Sequence, residues 1–89
     1  MPLGRDPRSR FTEGDFFEII FPMYDDQKMV LCIAGRDILQ ELAPSGEKLL
    51  PSTELFERFR NAIEVLASAK YDAGDVTAER YVHVVGSDL

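Results

Sequence analysis

Between Leu55 and Gly74 the chain reads LFERFRNAIEVLASAKYDAG, and its apolar positions recur with a helical step. Leu55, Phe59, Ala62, Leu66 and Ala69 follow one another at intervals of four, three, four and three, with Phe56, Ile63 and Ala67 beside them. That spacing stacks side chains on one face of an α-helix, in a stripe broad enough to bury. Glu54, Glu57, Arg58, Asn61, Glu64 and Ser68 fall mostly on the other side. Pro51-Ser52-Thr53 predicts the start, where a hydroxyl can accept an orphan amide hydrogen bond. Glu54 and Glu57 then complement the positive end of the helix dipole, and Lys70 the negative end. Gly74 predicts the stop, because it can turn left-handed without a Cβ clash. Burying Phe56, Phe59, Ile63 and Leu66 stabilises by about 1.5–3 kcal/mol each. Against a net stability of about 5–15 kcal/mol, this helix must organise the core.

The flanking segments read as strands and one shorter helix. Asp15 to Pro22 and Lys28 to Ala34 are rich in β-branched, aromatic and other apolar residues, with Tyr24 to Gln27 joining them. A two-residue turn at Asp25-Asp26 predicts Phe21 opposite Val30, Ile19 opposite Cys32 and Phe17 opposite Ala34. Pro22 has no amide to donate, which predicts a strand end, a bulge or an edge. Arg36 to Leu42 reads as a short helix with Ile38, Leu39 and Leu42 inward, stopped before Pro44. A loop over 44–51, the long helix and a connector over 72–79 lead to a third strand at 80–85. Val82 and Val84 share one side of that strand, with Tyr81, His83 and Val85 on the other. The predicted class is α+β: a small antiparallel sheet in the order ββααβ, packed against one short and one long helix. Residues 1–12 read as a mobile leader and 13–89 as a single domain.

Composition excludes several functions. The chain has 89 residues, 16 acidic against 10 basic, and a net charge of −6. Three arginines and one aspartate lie in residues 1–10, so the remainder carries −8. Nucleic-acid binding rests on a basic surface that releases counterions, so no nucleic-acid partner is expected. No apolar run is long enough for a membrane span, and the basic start leads into no apolar signal core. With one cysteine there is no intramolecular disulfide, and cytoplasmic residence is expected.

No catalytic or metal-ligating constellation stands out. His83, the only histidine, lacks the HxH or HExxH spacing of a metal site. Cys32 sits between Leu31 and Ile33, an apolar setting that leaves a thiol inert. A Cys32–His83 dyad has neither an oxyanion hole nor an orienting third group. Asp25-Asp26 reads as a solvated turn, lacking the spaced ligands of a calcium loop. No glycine pattern cradles phosphate, so no cofactor is expected. Glu54–Arg58 and Arg60–Glu64 are i, i+4 pairs on the helix surface. Lys70-Tyr71-Asp72 brings a donor, an aromatic and an acceptor together, and with Arg60 it forms a candidate site for a small anionic ligand or a minor enzymatic activity. Helix capping and packing of Tyr71 is the competing reading.

The predicted strands are apolar on both sides. Opposite the helix-facing set stand Phe16, Ile20, Met29, Leu31 and Ile33, where a half-solvated sheet would carry polar residues. Three arrangements would shield them: helices on both faces, the leader folded across, or a second copy of the chain. The favoured function is a non-enzymatic interaction domain with a protein partner, self-associating as a homodimer.

Phe21-Pro22, the Asp-rich turn, Val30-Leu31-Cys32-Ile33, Phe59-Arg60 with Ile63, and Ala67 through Lys70-Tyr71 to Gly74 together resemble the small bacterial domain-of-unknown-function family 1488. These pieces span nearly everything from residue 15 onward, and their order is more specific than any one of them. The resemblance implies a compact α+β cytoplasmic protein without an assigned activity, and it transfers no catalytic residues. Two departures stand out. The family often carries Asp-Gly at the hairpin where this chain has Asp25-Asp26. A serine commonly stands at the position of Ala34, so about 1 kcal/mol of helix capping is lost unless Gly35 or Asp37 compensates.

Overall fold

A computed structural model describes residues 3–5 and 10–89. The chain runs β1 (Thr12–Glu13), β2 (Ile19–Asp25), β3 (Lys28–Ala34), α1 (Arg36–Leu42), α2 (Ser52–Asp72) and β4 (Val82–Val84), with single 3-10 turns at Ser45–Glu47 and Gly86–Asp88. The sheet order is β1-β2-β3-β4. The architecture is α+β. β1, β2 and β3 pair antiparallel, and β4 joins β3 in parallel. That direction follows from the connection, since the helices carry the chain back across the sheet before β4.

The β2–β3 register differs from the predicted one by two residues. Asp25 pairs with Lys28 and Ile19 with Ala34, which places the turn at Asp26-Gln27. Asp26 takes φ 57°, a left-handed conformation that aspartate visits more readily than most residues. A shift of two preserves the faces, so Ile19, Phe21, Met23, Val30, Cys32 and Ala34 all point into the core. Phe17, expected to complete that set, does not. It has φ 63° and is exposed in the Gly14–Glu18 turn joining β1 to β2. Phe16 occupies the same turn and is 81% exposed, so it lies off the sheet face assigned to it.

Pro22 is mid-strand, and the backbone explains how. Tyr24 exchanges both main-chain hydrogen bonds with Gly4. Residues 22 and 24 share parity, so Pro22 also directs its missing donor away from β3. It falls between the short β1 pairing at Ile19–Ile20 and the Gly4 bridge, where no described strand needs its amide.

Both helices cover the same sheet face. Ile38 and Leu39 of α1 and Leu55, Phe56, Ile63 and Ala67 of α2 join one core with the inward strand residues, Val82 and Val84. Gly35 precedes α1 without a side-chain cap, but the Asp37 carboxylate accepts from the amides of Ile38 and Gly86. Asp37 thus supplies the acceptor that a serine at position 34 would have offered. At α2 the predicted hydroxyl cap is absent: Ser52 is buried and accepts instead from Arg36, at 2.9 Å. Phe59 leaves helical geometry (φ −114°, ψ 18°) without a proline or glycine nearby. The far end is a Schellman motif, in which Asp75 donates to Lys70 and Gly74 to Tyr71. Gly74 has φ 77° and open space around a virtual Cβ. Gly74→Ala is therefore expected to cost about 1–2 kcal/mol through backbone strain alone, measurable as a lower urea midpoint with an unchanged slope.

Residues 3–5 of the leader pack against the rest of the chain. Leu3 is buried in the core against α2, its amide donating to the Ser68 hydroxyl at 3.0 Å. Gly4 bridges to β2, and Arg5 binds Glu64. Where it is described, the leader extends the helix-covered side and leaves the opposite sheet face uncovered.

Candidate functional site

Opposite the helices lies a face built from alternate residues of the same strands. Ile20, Leu31 and Ile33 are half-buried there and Met29 is 55% exposed. Pro22 and Tyr24 extend it along β2, while Tyr81 and His83 extend it toward β4. Of the five residues assigned to an association surface from sequence, four share this face, and Phe16 alone lies elsewhere.

Cys32 and His83 are on opposite sides of the sheet. Ile33, not Cys32, is the register partner of His83, and the Cys32 side chain points into the core while His83 is exposed. Burial pushes the Cys32 thiol up to about 12, with a smaller contribution from the Glu64 charge. A thiolate nucleophile is therefore not available near neutrality. Folded protein should leave Cys32 unmodified by a thiol reagent for as long as urea leaves it folded, with labelling tracking unfolding. Rapid labelling of the native chain would contradict this burial.

Arg60, Lys70 and Tyr71 do not converge. The Arg60 guanidinium lies over the Phe11 and Phe56 rings, at 5.7 and 5.3 Å from their centroids, and binds Glu64 at 3.0 Å. Ten residues on, about 15 Å along the helix, Lys70 donates to the His83 carbonyl and to Asp88. Burial acts to raise the Asp88 carboxyl, but the Val85 amide and the Lys70 ammonium outweigh it and hold it below the ordinary aspartate range. The Tyr71 hydroxyl donates to Asp25 at 2.7 Å, and that hydrogen bond is the largest cause of its raised pKa. Two of the three candidate contacts thus have intramolecular work that ties α2 to the sheet.

Tyr71 does belong to a hollow that sequence reading missed. β4 pairs only with Cys32–Ala34, so the first half of β3 has no strand beside it on that flank. The connector swings wide there. Thr77 and Tyr81 close on each other through main-chain and hydroxyl hydrogen bonds, with Arg80 at φ 67° between them. The result is a groove of about 510 Å³ lined by Lys28 to Leu31, Tyr71, Gly74, Val76 and Glu79 to Tyr81. Met29, Leu31 and Tyr71 were candidates for other reasons. Val76 and Glu79 were hidden in a segment that reads only as a connector, and Lys28 and Arg80 stood at the starts of predicted strands without a chemical signal. Among the described residues, no three His, Cys, Asp or Glu side chains gather in a way that could hold a metal ion, and no helix is long and apolar enough to cross a membrane.

The fold recurs in a solved protein. A crystal structure from Shewanella loihica PV-4, described as a protein of unknown function from the DUF1488 family, superposes with a TM-score of 0.62 over 91% of this chain and 96% of that one, at 23% identity. The chain has the fold of a DUF1488 protein. No family model matches the sequence, and no curated protein does either. The shared DUF1488 fold therefore fixes the architecture and carries no activity, because that neighbour is itself of unknown function.

Proposed function

We propose that this chain is a non-enzymatic protein-interaction domain whose working surface is the helix-free sheet face, through which it also self-associates. The observation that carries the reading is the placement of both helices on one side while Ile20, Met29, Leu31 and Ile33 stay partly exposed on the other. A sheet face left to water normally alternates toward polar residues, and contiguous apolar surface commonly marks association. The size of the face sets the strength. Strand spacing and rise make it about 14 Å wide and about 23 Å long, well short of the roughly 800 Å² per partner of a standard interface. Self-association is accordingly weak and concentration-dependent.

Sedimentation velocity tests this directly. The wild-type chain is expected to shift from monomer toward dimer at tens of micromolar, while Ile33→Lys stays monomeric with unchanged far-UV circular dichroism. A wild-type chain that remains strictly monomeric at that concentration would remove the self-association.

A further inference from the structure

The groove beside β3 shares Met29 and Leu31 with the flat face but adds a chemistry of its own. Met29, Leu31, Val76 and Tyr81 give it an apolar floor and walls. Lys28 and Arg80 stand in its lining where β4 has not yet joined β3, with Glu79 as the one acid. This locally cationic balance sits on a chain of net charge −6. Arg5, Arg36, Lys48, Arg58, Arg60 and Lys70 each hold an oxygen acceptor. Lys28 and Arg80 hold none among the described residues, a state they share only with Arg10.

The backbone adds a third donor. Tyr24 gives both its main-chain bonds to Gly4, so its register partner Met29 turns its amide and carbonyl away from β2. They face the flank where the groove lies, and β4 begins too late to meet them. Two cations without a partner among the described residues, and a strand amide, beside an apolar trough fit a ligand that is greasy along its length and anionic at one end. The volume of about 510 Å³ suits a small molecule.

We propose that this groove binds a small amphipathic carboxylate. Its chain or ring lies along Met29, Leu31, Val76 and Tyr81, and its carboxylate is held by Lys28, Arg80 and the Met29 amide. The site shares Met29 and Leu31 with the association face but takes its charge from Lys28 and Arg80, so sedimentation and ligand titration read the two ideas separately and either can fail alone.

Octanoate and 1-octanol are matched probes, equal in chain length and different in charge. Titrated into the 89-residue chain and followed by amide NMR, octanoate is expected to give saturable shifts confined to residues 28–31 and 74–81. Octanol should shift the same residues more weakly. Lys28→Gln/Arg80→Gln should weaken octanoate binding about tenfold, the scale of one charge-assisted hydrogen bond, and leave octanol unchanged. Val76→Asp should abolish both. Shifts scattered over the surface, equal binding of the two probes, or an unaffected double variant would each overturn the proposal. So would saturable binding at 28–31 of a valine-rich peptide with an acidic end when octanoate does not bind, which would make this a strand-docking edge.

Discussion

Truncating Phe56 to alanine is expected to lower the unfolding free energy by about 3–5 kcal/mol, the range for deleting a buried aromatic ring. Phe56 is fully buried, and its ring centroid lies 4.8 Å from those of both Phe11 and Phe21. It therefore joins α2 to β2 and to the segment leading into β1, so one deletion opens a cavity shared by three parts of the chain. The Arg60 guanidinium also loses the nearer of its two rings. Against a total of about 5–15 kcal/mol, the loss consumes a large share, and the melting temperature should fall on the order of 20 °C. Phe59→Ala, at a half-buried position, provides the comparison and should cost distinctly less. Urea unfolding followed by circular dichroism measures both. A Phe56→Ala loss no greater than that of Phe59→Ala would mean that the three-ring cluster is not the centre of the core.

The helix was legible because its periodicity is a property of the sequence alone. So were the inward faces of β2 and β3, since the two-residue register shift keeps every side chain on its own side. The position of that shift was not legible. It depends on which acidic residue takes the left-handed turn, and Asp25-Asp26 offered two adjacent candidates. Phe17 was misplaced because an apolar run continues through a turn without any change in composition. The direction of β4 followed only once the helices were seen to cross on one side.

The candidate site fared unevenly for a related reason. Ile20, Met29, Leu31 and Ile33 came from strand alternation, which is local, and they share the expected face. Arg60, Lys70 and Tyr71 came from chemical type, and apart from the local Arg60–Glu64 pair what occupies them is tertiary. Phe11 and Glu64 engage Arg60, Asp88 engages Lys70, and Asp25, forty-six positions away, engages Tyr71. The groove arises because β4 is shorter than β3, and sequence shows no strand-length mismatch until the register is known.

Glu64→Gln is expected to destabilise the chain by about 1.5–3 kcal/mol, the scale of hydrogen bonds to a charged group, and to release the leader. Only 9% exposed, Glu64 accepts from Arg60 along the helix and from Arg5 across to the leader. Replacing the carboxylate leaves the inner guanidinium, that of Arg60, poorly compensated where water reaches it least, since its side chain is 17% exposed. Arg5 is 39% exposed, so solvent screens its pair and Arg5→Gln alone should cost no more than about 1 kcal/mol. The two variants then separate energy from attachment. Hydrogen exchange at the Gly4 and Tyr24 amides, which bond each other's carbonyls, reports docking of the leader. Both variants should speed that exchange, whereas only Glu64→Gln should shift the global urea midpoint appreciably. If Glu64→Gln leaves Gly4 and Tyr24 protected, Leu3 and the Ser68 hydroxyl suffice to hold the leader, and the ion pair follows from docking without causing it.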